Sequence, residues 1–171
     1  MILGGYRPRG TPVQVVVVQP NVDPYSEKYW SDPLVQLDSM LALAARSMTD
    51  STRLVVLPET ALQEAYTYEV TNSGKVELYG LWENRLDKSR SAERIVGFLR
   101  AHPQAAVLAG MSSAYLYDAD STPPVIAREL GRTKRWYVPH NACMLVQANG
   151  SAEPYLKSKL VAGVEIMPFE R

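Results

Sequence analysis

The sequence predicts an α/β domain built on a mixed sheet with flanking helices. Two short apolar runs rich in β-branched residues, 13–18 and 54–57, are typical of buried strands. A helical pattern at 31–48 lies between them, and a second one at 91–101 precedes another apolar run, 105–110. Strand–helix–strand units are expected to be parallel with right-handed crossovers, so these segments form two such units in succession.

The first strand–helix pair has clear local signals. The run 13–18 is almost wholly apolar, which predicts a central strand buried on both faces. Ser31 is placed to cap the following helix, and Pro33 is tolerated in its first turn. The inward face of this helix is predicted from apolar spacings of three and four residues: Leu34, Leu37, Leu41, Ala44 and Met48.

The second half of the chain adds a helix and a hairpin. In the helix at 91–101 the residues predicted to face inward are Ala92, Ile95, Val96 and Leu99. We expect the strand 105–110 to end in a loop that opens at 110–113. The alternating segment 141–147, the Asn149–Gly150 turn and the return at 153–156 predict an antiparallel hairpin, which makes the sheet mixed.

Size and charge restrict the function classes. The 171 residues suffice for one domain with its own core. With 18 basic and 18 acidic residues the chain has no net charge and gives no electrostatic support for nucleic-acid binding. No stretch approaches the roughly 18 apolar residues of a membrane span, so we expect the chain itself to be soluble. Cys143 is the single cysteine, so no internal disulfide is expected.

Two further segments mark the domain organisation. Residues 1–12, rich in Gly, Pro and basic side chains, are predicted to be a linker from an upstream region. Residues 64–91 mix aromatic and charged side chains around a turn signal at 72–75 and predict an insertion or lid beside the sheet. Its aromatic side chains either contact a ligand or pack on the domain: Tyr66, Tyr68, Tyr79 and Trp82.

Two charged residues stand at predicted strand ends. Pro58 ends the run 54–57 because it has no N–H to donate, and Glu59 follows at the carboxyl edge of a parallel strand. Taken alone, a Pro-Glu pair after a strand favours a solvated loop carboxylate over a functional one. Lys157 lies near the end of the hairpin strand, between an aromatic residue and an apolar pair.

These segments, in their order along the chain, resemble the motifs of the nitrilase (carbon–nitrogen hydrolase) superfamily. The residues 160–168 resemble the Leu-Val-Pro-Phe-Gly-Glu-Tyr-x-Pro segment of its apolipoprotein N-acyltransferase branch, with Ala162-Gly163-Val164 in place of Pro-Phe-Gly. The other matching segments are Gln19–Asn21, Leu57–Thr60, Leu108–Gly110, Asn141–Ala142 and Tyr155–Val161. The resemblance implies that 13–171 is the N-terminal part of a nitrilase-like α-β-β-α sandwich.

The resemblance also implies catalytic roles. Glu59 is the general base for a cysteine nucleophile, and Lys157 stabilises the oxyanion, with Lys159 as the competing lysine. Glu165 is a supporting acid that positions Lys157 or Glu59. The nucleophile itself is expected beyond the Lys motif and after residue 171, since Cys143 precedes that motif and is expected to be a buried structural thiol.

The implied reaction transfers a fatty acyl chain from a phospholipid to the N-terminal diacylglyceryl-cysteine of an apolipoprotein through a Cys thioester. The implied location is the bacterial inner membrane, reached through regions outside this chain, with this domain facing the periplasm. No cofactor or metal is implied, and His102 and His140 lack ligand spacing. Two alternatives remain open: part of a soluble carbon–nitrogen hydrolase that cleaves small amides, and a non-catalytic α/β binding module.

Overall fold

The computed structural model describes residues 10–21, 32–70, 74–130 and 134–159. Within these ranges the chain has a mixed α/β fold with a seven-stranded sheet and a separate two-stranded sheet. The strands are β1 (Gln14–Val17), β2 (Thr52–Val56), β3 (Ala65–Val70), β4 (Gly74–Tyr79), β5 (Leu81–Trp82), β6 (Ala106–Leu116), β7 (Arg128–Glu129), β8 (Trp136–Gln147) and β9 (Ala152–Leu156). The helices are α1 (Pro33–Ala45) and α2 (Arg90–Leu99), with a 3-10 segment at Glu83–Lys88.

The large sheet has a parallel half and an antiparallel half. Its strand order is β1-β2-β6-β8-β7, while β5 also pairs with β6 and β9 also pairs with β8. β1, β2 and β6 are parallel, which confirms the two predicted strand–helix–strand units. β8 runs antiparallel to both β6 and β9, which confirms the predicted hairpin and the mixed sheet.

Both helices begin at side-chain caps and pack on the same face of the sheet. The carboxylate of Asp32 accepts a hydrogen bond from the Leu34 N–H at 2.8 Å, and the Ser89 hydroxyl accepts one from the Ala92 N–H at 3.0 Å. Asp32 is therefore the N-cap of α1, and the prediction of Ser31, which lies outside the described residues, is wrong by one position. The core under the helices includes Leu37, Leu41, Ala44, Ile95, Leu99, Val55, Val107 and Met144. Neither helix of the described part is long and apolar enough to cross a membrane.

Two predictions about the sheet are wrong. β1 is an edge strand of the described sheet, not a central one, and Val13, Val15 and Val17 are exposed. The third predicted strand does not end in a loop at 110–113. It continues as β6 to Leu116, because every residue of β6 pairs with β8 and this long antiparallel ladder outweighs the weak strand preference of Gly and Ser.

The face of the sheet opposite the helices is apolar. One row of aligned residues crosses four neighbouring strands on this face: Val17, Val56, Leu108 and Leu145. Val17 is 72% exposed, and the other three are half-buried. The sheet therefore presents apolar side chains on both of its faces.

The predicted insertion at 64–91 has secondary structure of its own. β3 and β4 form an antiparallel hairpin, and β5 and the 3-10 segment follow. Trp82 is buried with Leu116 and Leu130, which supports packing on the domain over ligand contact for this aromatic residue. The side chains of Tyr66, Tyr68 and Tyr79 lie outside the described part of the structure.

A buried carboxylate connects the start of the insertion to α2. Glu64 accepts hydrogen bonds from the N–H groups of Ser91 at 2.5 Å and Arg90 at 3.3 Å. These N–H groups belong to the first turn of the helix, where backbone donors lack intrahelical acceptors and negative charge is favoured. Glu64 thereby fixes the end of the loop that begins at Glu59.

We expect Glu64→Ala to lower the free energy of unfolding by about 1–3 kcal/mol, because it leaves the buried N–H of Ser91 without its acceptor. Urea denaturation measures this change. Glu93→Ala removes an exposed carboxylate from the same helical turn and is the matched control, with little change expected. Equal losses in the two variants would contradict the capping role of Glu64.

Candidate functional site

The loop that carries Glu59 follows directly from the parallel strand β2. Beyond the strand the Leu57 N–H still donates to the Leu108 carbonyl at 2.8 Å, and the Pro58 carbonyl accepts from the Gly110 N–H at 3.2 Å. The loop returns at Leu62, whose N–H donates to the Gly110 carbonyl at 3.0 Å. Glu59 therefore stands at the carboxyl end of β2, between two points of attachment to β6.

Gly110 allows the loop to lie against β6. A Cβ at this position would stand 2.6 Å from the Cα of Glu59, 2.6 Å from the Pro58 carbonyl oxygen and 2.8 Å from the Thr60 nitrogen. All three neighbours are backbone atoms, which cannot move aside as a flexible side chain would. The position of Glu59 thus depends on a residue without a side chain.

Thr60 has a left-handed backbone conformation with φ of 55°. This conformation is uncommon for a β-branched residue and costs about 1–3 kcal/mol. The strain lies in the residue next to Glu59, and the hydrogen bonds on either side of the loop hold it in place.

The side chains of Lys157 and Asn141 both contact the carboxylate of Glu59. The Nζ of Lys157 lies 3.3 Å from its Oε1, and the Nδ2 of Asn141 donates to the same oxygen at 2.8 Å. The Lys157 N–H in turn donates to the Asn141 carbonyl at 2.8 Å, one step beyond the last β8–β9 pair. The structure thus brings together the two residues predicted as base and oxyanion stabiliser.

The Glu59–Lys157 pair is open to solvent. The side chain of Glu59 is 65% exposed and that of Lys157 is 33% exposed. Exposed ion pairs contribute little to stability, so folding stability does not explain this arrangement. Chemically, the carboxylate is able to accept a proton from a nucleophile, and the ammonium is able to stabilise an oxyanion formed beside it.

The remaining predicted site residues are distributed as follows. Lys159 is exposed, and it is Lys157 that contacts Glu59. Glu165 lies outside the described residues. Cys143 is only partly buried, which corrects the prediction of a buried thiol, because it lies on the face of β8 opposite the helix-covered core.

Sequence reasoning did not assign a role to Asn141. It treated this residue as part of a hairpin motif, although the alternation of β8 places Asn141 on the same face as Cys143 and Leu145. This alternation was the one sequence signal that could have indicated which face of the sheet Asn141 occupies. The partner across the fold, Glu59, was not visible from local sequence because 82 positions separate the two residues.

A second polar cluster lies on the helix-covered face near the same end of β6. The Oε1 of Glu83 accepts a hydrogen bond from the Ser113 hydroxyl at 2.7 Å and lies 2.7 Å from the Nδ1 of His140. The Glu83 side chain is only 7% exposed. The described residues contain no group of three His, Cys, Asp or Glu side chains arranged to hold a metal ion.

Comparison with known proteins gives no family assignment. No protein-family model matches the chain, and no curated protein matches it significantly.

We expect Gly110→Ala to lower the free energy of unfolding by about 1–3 kcal/mol, because the added methyl group meets the backbone of the Glu59 loop. Gly97→Ala is the matched control. A Cβ at Gly97 would have no heavy atom within 4 Å. Because alanine is favoured over glycine in a helix interior, this change is expected to raise the free energy of unfolding by about 0.5–1 kcal/mol. Urea denaturation compares the two, and a neutral Gly110→Ala variant would show that the loop does not need the close approach.

Proposed function

We propose that the chain supplies the Glu and Lys catalytic residues of a nitrilase-superfamily N-acyltransferase. The observation that carries this proposal is the 3.3 Å approach of Lys157 Nζ to Glu59 Oε1 at the carboxyl end of β2. These two residues occupy the motif positions that the resemblance assigns to base and oxyanion stabiliser, although 98 positions separate them along the chain.

In the proposed first half-reaction, Glu59 accepts the proton of a cysteine thiol supplied by chain beyond residue 171. The thiolate attacks the ester carbonyl of a phospholipid, and Lys157 stabilises the resulting oxyanion. The C–O bond then breaks, the lysophospholipid alkoxide takes the proton from Glu59, and the acyl chain remains on sulfur as a thioester.

In the second half-reaction, the α-amine of the diacylglyceryl-cysteine of an apolipoprotein attacks the thioester carbonyl. An amide bond forms, the C–S bond breaks, and the proton released by the amine returns to the thiolate through Glu59. The proposed location is the bacterial inner membrane, with this domain in the periplasm and residues 1–12 leading in from an upstream membrane region. Glu165 is proposed to position Lys157 or Glu59.

The proposed fold is the α-β-β-α sandwich of the superfamily. Its support is the apolar row of Val17, Val56, Leu108 and Leu145 on the face away from α1 and α2. A second sheet packed on this face would remove these side chains from water, which is the main favourable term in such packing.

Thioester trapping in the full-length gene product tests the reaction. With phospholipid vesicles carrying an alkyne-tagged acyl chain, we expect a hydroxylamine-sensitive label on the enzyme. Glu59→Gln and Lys157→Met are expected to reduce the rate of labelling at least about 100-fold, since each removes a group needed in the transition state. Lys159→Met and Cys143→Ser are the matched controls and are expected to keep the label.

The outcomes of this experiment separate the alternatives. Label that persists in both Glu59→Gln and Lys157→Met overturns the proposed roles. Loss of label in Cys143→Ser makes Cys143 the nucleophile instead. Formation of a thioester from small amides but not from phospholipids would identify the protein as an amidase. Formation of no thioester from either substrate would favour the binding module.

The sandwich has a separate test in stability. We expect Val17→Lys to destabilise the full-length protein by about 2 kcal/mol or more, because a second sheet would bury the ammonium. The same change is expected to have little effect in residues 1–171, where Val17 is 72% exposed. Val35→Lys on α1, where the residue is 57% exposed, is the control and should be neutral in both chains. Urea denaturation that shows Val17→Lys neutral in both chains would contradict the sandwich.

A further inference from the structure

We propose that Asn141 is a positioning residue that fixes the direction of the Glu59 carboxylate relative to Lys157. The positioning itself concerns this chain alone, and only its consequence for acyl transfer rests on the proposed function. The starting observation is that Asn141 contacts both partners, through its side-chain amide to Glu59 and through its main-chain carbonyl to the N–H of Lys157.

These two contacts of Asn141 set the distance between Glu59 and Lys157. The amide Nδ2 lies 2.8 Å from Oε1 of Glu59, and the carbonyl oxygen lies 2.8 Å from the nitrogen of Lys157. The second bond continues the β8–β9 ladder just past Ala142 and Leu156. A single residue therefore links the loop after β2 to the chain that follows β9.

The kind of contact matters as much as the distance. Lys157 presents a compact charge that attracts a carboxylate from any direction, whereas an amide N–H requires near-linear approach to its acceptor. Because Glu59 is 65% exposed, its side chain has room for other rotamers, and attraction to Lys157 alone does not select one. The amide of Asn141 supplies the direction and, being neutral, leaves the charge of the carboxylate unchanged.

The backbone of Asn141 is itself held from the other face of the sheet. The preceding residue, His140, contacts the nearly buried Glu83, which also accepts the Ser113 hydroxyl. Ser113 and His140 are direct partners in the β6–β8 ladder, as are Ser112 and Asn141. The Glu83 cluster thus fixes β8 at the position from which Asn141 reaches Glu59.

Titration of Glu59 in the chain of residues 1–171 tests the contact without reference to any activity. Carbon-13 NMR follows the carboxyl resonance, which Glu59→Gln assigns. We expect Asn141→Ala to shift the titration of Glu59 to higher pH, since the charged form loses a donor, and Asn141→Asp to shift it further by adding a negative charge. Gln147→Ala removes an exposed amide from the same strand and is expected to leave the titration unchanged.

The catalytic consequence is measured in the full-length gene product. Asn141→Ala is expected to slow thioester formation about 100-fold with little change in the KM for phospholipid, because the base is misplaced while the lipid contacts remain. Asn141→Asp preserves the shape of the side chain and the main-chain bond to Lys157. A loss of rate in this variant would therefore not result from unfolding. Asn141→Gln retains an amide donor and is expected to recover part of the rate.

Each outcome separates this inference from the proposed function. A Glu59 titration that does not move in Asn141→Ala and Asn141→Asp overturns the positioning role, whatever the reaction is. A titration that moves in a protein whose unmutated form makes no thioester supports the positioning role and overturns the proposed function. A titration that moves while thioester formation keeps its normal rate overturns the catalytic consequence.

Discussion

The close contact between the Glu59 loop and β6 is the constraint on which the candidate site depends. Two hydrogen bonds of Gly110, to Pro58 and Leu62, hold the loop against the strand. No side chain fits between the two backbones, and the strained Thr60 lies within the same loop. Glu59 is consequently an exposed side chain on a rigidly placed backbone, which is the arrangement expected where a group must react with a partner from outside the sheet.

The long β6–β8 ladder connects this loop to the rest of the site. Gly110 and Asn141 lie on these two strands, and β9 pairs with the outer side of β8 and leads directly into Lys157. The helix-covered face contributes the core and the Glu83 cluster, while the opposite face carries the polar site at the end of an apolar row. The hydrophobic core and the candidate site therefore lie on opposite faces of one sheet.

The sequence predicted the elements whose signals are local. Helical spacing and the Asn149–Gly150 turn depend on neighbouring residues, so α1, α2 and the turn of the hairpin were placed within a few residues of their observed positions, whereas β8 begins at Trp136 and not at Asn141. The position of β1 at the edge was missed, because apolar residues on both faces of a strand predict burial wherever the strand lies.

The site was predicted only where a motif pointed to it. Family resemblance singled out Glu59 and Lys157, and no periodicity in the chain would have paired them. Asn141 was missed because its partner is determined by the order of strands in the sheet, which is a long-range property. The extension of β6 through Ser112 and Ser113 was missed for the same reason, since pairing with β8 overrides local preference.

The separation of 98 positions between Glu59 and Lys157 has a consequence for synthesis of the chain. On the ribosome Glu59 emerges long before Lys157, which follows directly after β9. At an elongation rate of about 5–20 residues per second, the interval is on the order of 5–20 s. During that interval β2 and its loop exist without the ammonium group, so the charge pair assembles only once nearly all of the described chain has been made.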